Sequence, residues 1–337
     1  MALHPNDVLF AGSHALPAIP AVDHYAGAER FLRRALAMQA DLGPLFDITF
    51  DCEDGAPAGG EADHARMGAQ IIASKDNRFD RVGLRCHDVT HPHWQVDLDI
   101  ALSICGDRLA FVTLPKARDL EDVLFARHVL RGLEQRYNTK RHIPLHVIIE
   151  THGAVRDVWS IAALEGVESL DFGLMDFVSE HRGAIPSSAL RSPAQFEHPL
   201  IVRAKTEVAA AAHAYGRIPS HNVSTILDDA NAVFEDAHTA RERFGFLRMW
   251  SIHPGQIEPI LRAMRPDAAD VADAAGILLA AQAQHWGPIR FEGRLHDRGS
   301  YRYYWHVLLR ARRTGMPLPA AADTAFFGPR NAEESAS

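Results

Sequence analysis

No apolar run in this chain of 337 residues approaches the roughly 18 consecutive apolar residues of a membrane span. Basic residues form no block and the formal charge is −8, so neither a nucleic acid nor a membrane surface is an expected partner. Cysteine is scarce. Cys52, Cys86 and Cys105 are odd in number and have no paired spacing, which excludes a disulfide framework and points to reduced thiols in a cytoplasmic setting. The first residues, MALHPNDVLFAG, lack the charged start and apolar core of a signal peptide. Three histidines in HDVTHPHW invite a zinc reading, but they flank a proline in a loop with no second ligand cluster.

What is present suits a globular protein with a sizeable core: 47% of residues are apolar and 23% charged. Eight β-type runs are spaced along the chain. They are DVLFAG from Asp7, DITFD from Asp47, RVGLRCH from Arg81, RLAFVTLPK from Arg108, PLHVIIE from Pro144, SLDFGLMD from Ser169, IPSHNVS from Ile218 and RMWSIHP from Arg248. Several are near-continuously apolar, as parallel strands covered on both faces are. Helical periodicity fills the gaps. AERFLRRALAMQA is one such segment. LEDVLFARHVLRGLEQRY is another, with Leu120, Val123, Leu124, Leu130 and Leu133 on one stripe. Eight strand–helix units match a (β/α)8 TIM barrel, an α/β fold. An open doubly wound sheet is the alternative, weakened because no G-x-G-x-x-G follows the first run. The barrel is expected over 1–264, a C-terminal helical lid extension over 265–329, and a disordered polar tail over 330–337.

The charges fall at the ends of the runs, where a barrel carries its chemistry. FDITFDCEDGAP ends an apolar run in Asp51, Glu53 and Asp54. Such like charges suit a solvated turn, or a rim that holds cations. Arg85, Lys116, Glu150, Asp176 and His253 follow at later ends. In HVIIE and FGLMD the acid lies directly against apolar residues, where an unpaired charge is costly. Glu150 and Asp176 close adjacent units, so their oxygens can converge on one cation. With no cysteine or histidine pair beside them, a hard ion such as Mg²⁺ is favoured, with Mn²⁺ the alternative. Arg85 offers a planar fork for a carboxylate. A metal with an arginine suits an α-keto or α-hydroxy acid.

These segments resemble the citrate lyase β-subunit and malyl-CoA lyase family of metal-dependent aldolases. FDCEDGAP is similar to its D-L-E-D-A-V-P segment, GLRCH to V-R-V-N, and FVTLPKARD to L-P-K-V-E-S. VIIETHGAV resembles its I-E-T segment, LDFGLMDF its F-G-x-x-D, and GFLRMWSIHPGQI its G-F-x-G-K-x-x-I-H-P-x-Q. The resemblance runs from about Val8 to Asp297, and its six motifs stand in the family's order.

It implies a Mg²⁺-dependent carbon–carbon lyase acting through an enolate. Glu150 and Asp176 are the implied metal ligands, and Arg85 the residue that binds the keto-acid oxygens. Asp51, Glu53 and Asp54 are the acids that hold water and orient that arginine. EGRLHD resembles the family's D-G-x-M-V-D. Its Asp297 is the implied proton-transfer residue, carried by the lid into a neighbouring subunit of a homotrimer or hexamer. His152 and His253 are weaker candidates for that role. The implied partner is a small 2-keto acid such as glyoxylate, pyruvate or oxaloacetate, with acyl-CoA less firmly implied.

This chain departs from the pattern at the CoA end. Asn6 stands for an arginine, Arg248-Met249 for the G-K pair, Gly153 in IETHGA for the arginine of the family's I-E-T-A-R-G, and Asn222 for an aspartate. Lys116, Arg248 and His253 are assigned to the cofactor side, with Arg33, Arg34 and Arg248 the available substitutes for the missing basic residues. A CoA-independent aldolase on a free hydroxy-keto acid, and a non-catalytic keto-acid-binding homologue, are the competing readings.

Overall fold

A computed structural model describes residues 3–10, 16–56 and 58–328. Eight parallel strands close into a barrel in chain order. They are β1 (Val22–Ala26), β2 (Asp47–Asp51), β3 (Val82–Arg85), β4 (Leu109–Leu114), β5 (Leu145–Ile149), β6 (Val167–Phe172), β7 (Ile218–His221) and β8 (Arg248–Ser251). The ring closes through β8 on β1, with Met249 opposite Val22. The helices run α1 (Pro5–Leu9), α2 (Glu29–Leu42), α3 (Glu61–Ala73), α4 (Trp94–Cys105), α5 (Leu120–Tyr137), α6 (His152–Ala163), α7 (Leu174–Ser179), α8 (Pro199–Ala214) and α9 (Ala230–Phe244). Then come α10 (Ile257–Met264), α11 (Ala268–Ala283), α12 (Arg298–Arg313) and α13 (Ala320–Phe327). A helix after each strand makes this the (β/α)8 TIM barrel.

Seven of the expected strands lie where the apolar runs put them; the first does not. Asp7–Leu9 of the first run form the end of α1, its residues 11–12 lie outside the described residues, and β1 is the unforeseen stretch VDHYA. Pro5 at the first helical position and the His4 ring, which accepts from Asn6 N, start a helix where apolarity alone suggests a strand. VDHYA escapes notice because its inward residues, Asp23 and Tyr25, are polar. Many other residues in the barrel's middle are polar too, where bulky aliphatics are usual. Asp23, Asp47, Thr49, His146, Ser169, Asp171, Ser220 and Arg248 are all fully buried. Arg248 at the start of β8 holds this layer, 3.0 Å from Asp23 and 2.5 Å from Asp47.

α5 covers the predicted residues, begun by the Asp119 carboxylate, which accepts from Asp122 N, and ended by Asn138 in left-handed conformation. Its buried stripe differs from the expected one. Leu124 is exposed, while Asp122 and Glu134 are buried. Both acids have local work. Asp122 takes the Arg118 guanidinium, and Glu134 accepts from Ile143 N, fixing the entry to β5.

The chain divides into two units. One is Ile19–Ala263, the barrel. The other joins the residues up to Ala18 to those from Met264, so the N-terminal segment belongs with the C-terminal extension rather than the barrel. The second unit has its own core of Leu9, Trp286, Tyr301, Trp305 and Phe326. Within it, Trp305 Nε1 donates to Asn6 Oδ1 at 2.8 Å. GPIRFEGRLHDRGS contains the hairpin β9 (Ile289–Phe291) and β10 (Arg294–His296). The tail 330–337, expected to be disordered, lies outside the described residues, as does Pro57. All three cysteines are free and buried. Among the described residues no helix is long and apolar enough to cross a membrane.

Candidate active site

The acids that end β2 are each matched to a cation. Asp51 meets Arg85, the last residue of β3, through two parallel hydrogen bonds, from Nε at 2.7 Å and Nη2 at 2.6 Å. The Asp51 carboxylate also accepts from Glu53 N at 3.0 Å and Gly55 N at 2.9 Å. Burial would raise its pKa, but Arg85 and these amides outweigh that and hold it below the usual carboxylate range. The other face of Arg85 pairs with Glu53 at 3.0 Å. Lys116 Nζ then bonds Glu53, and Asp54 at 2.9 Å. Burial alone lowers the Lys116 pKa, but the bonds to Glu53 and Asp54 carry it above the ordinary lysine value.

Lys116 also reaches the two expected metal ligands. Its backbone takes a left-handed conformation, φ 49°, which a non-glycine residue rarely adopts. In that pose its N–H donates to Glu150 Oε1 at 2.7 Å, while Nζ lies 3.9 Å from Asp176 Oδ1. Asp176 is not at a strand end, as FGLMD suggests. It sits in the first turn of α7, because the chain turns into a helix at Gly173. Glu150, Asp176, Asp51, Asp54 and Arg85 all line one cavity of ≈ 400 Å³.

Glu150 is 3% exposed. Burial first, and then the neighbouring Asp176, push its carboxyl up to about 8. Two carboxylates, one of them buried with no cation on its free oxygen, make an all-oxygen donor set that fits Mg²⁺. Gly173 is required for this placement. A Cβ there would lie 2.1 Å from Glu150 Oε2 and 2.7 Å from Glu150 Cβ. Gly173→Ala is therefore expected to displace the carboxylate and weaken Mg²⁺ binding roughly tenfold or more. Calorimetric titration with MgCl₂ checks this, with circular dichroism as the folding control.

The remaining expected residues stand elsewhere. Arg248, assigned to the cofactor side, is fully buried in the barrel interior and cannot meet a phosphate at the rim. The reason is register: it is the first residue of β8, at the opposite end of the strand from the cavity-lining Ile252. His253 is exposed, and its Nδ1 accepts from Gly255 N to cap the next turn. His152, at the start of α6, makes a 3.3 Å hydrogen bond with the Glu180 carbonyl. Asp297 belongs to the second unit, where its exposed carboxylate caps α12 by accepting from Gly299 N at 2.9 Å.

Sequence reasoning missed the aromatic wall. Tyr25 and Trp250 stack at 4.8 Å, and the Arg85 guanidinium lies 5.2 Å from the Tyr25 ring. Phe31, Met175 and Ile252, all substantially exposed, add an apolar side to the cavity. Trp250 could have been found by strand alternation, since it shares the face of Arg248. Tyr25 could not, because its strand was missed.

A family model described as HpcH/HpaI aldolase/citrate lyase matches residues 29–254. The L-malyl-CoA/β-methylmalyl-CoA lyase of Rhodobacter capsulatus is 24% identical over 233 residues, 66% of this chain and 73% of that one. A crystal structure of a citrate lyase from Burkholderia xenovorans LB400 is 50% identical, with a TM-score of 0.83 over 96% of this chain and 100% of that one. The fold is shared with the CitE protein of Mycobacterium tuberculosis in complex with magnesium, acetoacetate and coenzyme A. That structure is 22% identical with a TM-score of 0.64, covering 88% of this chain and 99% of that chain.

Proposed function

Because the chain belongs to the HpcH/HpaI aldolase/citrate lyase family, a family of carbon–carbon lyases, we propose that it is a Mg²⁺-dependent lyase handling a small 2-keto acid such as glyoxylate, pyruvate or oxaloacetate. Its bond-making partner is the enolate of an acyl-CoA or of a free acid. The observation that carries the reading is the convergence of Glu150, Asp176 and Arg85 on one cavity.

Glu150 and Asp176 would hold the magnesium ion, which supplies Lewis-acid stabilisation of negative charge on the keto acid. Arg85 keeps N–H donors beyond those given to Asp51 and Glu53, and these bind the substrate carboxylate. Asp51 fixes the guanidinium plane so that little reorganisation accompanies binding. Lys116 holds Glu53 and Asp54 as a salt-bridge partner, and the same contacts keep its amine protonated and unfit for a Schiff base. Asp297 is the proton-transfer residue, offered by the second unit of a neighbouring copy in a homotrimer or a multiple of one.

A CoA-independent aldolase is the second reading, and a specific observation favours it. Among the described residues that line the cavity, Arg85 is the only basic one, and Asp51 and Glu53 already match its charge. Assay of metal-loaded protein against CoA thioesters and free hydroxy-keto acids, with and without EDTA, tests both readings. Turnover abolished by EDTA is expected. Turnover that survives EDTA, or none across the panel, overturns the proposal.

The pH dependence follows from Glu150. Its folded value of about 8 lies above an ordinary glutamate, so metal-free protein gains stability from the protonated form at low pH. That gain is lost as pH rises through about 8. Mg²⁺ must displace the same proton. Apparent affinity is expected to rise roughly tenfold per pH unit up to that value and level off above it. Calorimetry in two buffers of different ionisation enthalpy would detect the released proton. An affinity flat from pH 6 to 9 would count against Glu150 as a ligand.

A further inference from the structure

We propose that the barrel interior, beneath the aromatic wall of the cavity, is a second cation site: Asp23, His146 and Asp171 hold a divalent ion of the zinc or manganese type. The three residues come from β1, β5 and β6, and strands β1 and β5 face each other across an eight-stranded ring. Their side chains therefore meet only inside it. One ligand-type atom from each lies within 4.8 Å of the others. All three residues are fully buried.

The surroundings prepare these atoms for coordination. His146 Nε2–H donates to Glu168 Oε2 at 3.0 Å, which leaves Nδ1 as the lone pair. That Nδ1 has no hydrogen-bond partner. A carboxylate behind the histidine is the usual partner of a metal-bound imidazole. Phe111 fixes the ring plane by stacking on it at 3.9 Å. Ser169 Oγ donates to Asp171 Oδ1, and Asp171 Oδ2 is left without a partner. Thr49 Oγ1 orients Asp23 through a 2.8 Å bond to Oδ1. Ser220, opposite Asp171 in the β6–β7 register, has a buried hydroxyl with no partner and completes a donor set of mixed nitrogen and oxygen.

Charge points the same way. Four acids, Asp23, Asp47, Asp171 and Glu168, face two guanidiniums, Arg248 and Arg81. Four carboxyl groups against two guanidiniums leave an acidic excess that a dication would offset. One imidazole among carboxylates suits Zn²⁺ or Mn²⁺ better than Mg²⁺, whose all-oxygen site at Glu150 is separate.

The test is metal content. Intact protein is incubated with Zn²⁺ or Mn²⁺, gel-filtered, and measured by plasma mass spectrometry. Glu150→Gln, which lacks the rim ligand, is expected to retain about one ion per chain, and Asp171→Asn and His146→Gln made in that background to lose it. Crystals of the wild type grown with Zn²⁺ remove any dependence on variant folding. An anomalous peak among the three side chains at the zinc edge is expected there. No retained ion in Glu150→Gln, retention by both interior variants, or ordered water alone in the barrel interior overturns the proposal.

Discussion

Glu150→Gln should remove Mg²⁺ binding and lower kcat/KM by roughly 1000-fold, the several kcal/mol that Lewis-acid stabilisation of a developing oxyanion is worth. The isosteric amide separates charge from structure. Its oxygen can still accept the 2.7 Å hydrogen bond from Lys116 N, so the left-handed turn that aims Lys116 at Glu53 and Asp54 is kept. The variant should also fold at least as stably as the metal-free wild type above pH 8. The wild-type carboxyl, raised to about 8 by burial and by Asp176, ionises there at the expense of the folded state. Loss of metal without loss of fold is thus the signature. Asp176→Asn should act in the same direction but more weakly, because Asp176 is more exposed and its charge is already approached by Lys116 Nζ at 3.9 Å. Calorimetry that finds unchanged Mg²⁺–pyruvate affinity in both variants would dismiss the site.

How much of this was legible beforehand depended on which face of each element carries the signal. β2 to β8 announce themselves because their outward residues pack under helices and read as apolar runs; Ile48 and Phe50 in β2 are fully buried in this way. β1 fails the same test, since Asp23 and Tyr25 face a polar interior. The helix α1 passes it falsely, since Leu9 is buried in the second unit's core. The acids of the rim were legible because charge against an apolar run is costly unless matched. Their matching could not be read, because Asp51–Arg85 joins residues 34 apart in sequence and Lys116–Glu53 residues 63 apart. Only the closed ring brings them together. Asp176 shows a finer limit. LDFGLMD gives no cue that the strand stops at Phe172 and that Asp176 approaches the cavity from a helix instead.

Arg248 carries the largest expected effect on stability. Its guanidinium is fully buried and ion-paired with two fully buried aspartates, Asp23 at 3.0 Å and Asp47 at 2.5 Å. Burial lowers its pKa, but Asp23 and Asp47 more than reverse this and hold it charged. Arg248→Met fills a similar volume, leaves Asp23 without its ion partner and leaves Asp47 with Arg81 alone, at 3.7 Å. Breaking a buried pair from one side costs about 3–5 kcal/mol, a large part of the ~5–15 kcal/mol that holds a typical domain folded. Urea unfolding with Mg²⁺ absent should show that loss, while Arg33→Ala, at an exposed pair with Glu29, should change little. Adding Asp23→Asn and Asp47→Asn to Arg248→Met should recover much of it, since the buried charges then go together. This sets a structural role against the cofactor contact that the position in the chain first suggests. A residue that met a CoA phosphate would, when changed, raise KM for a thioester and leave the unfolding midpoint where it was. That result would mean that Arg248 leaves the barrel floor in the working enzyme.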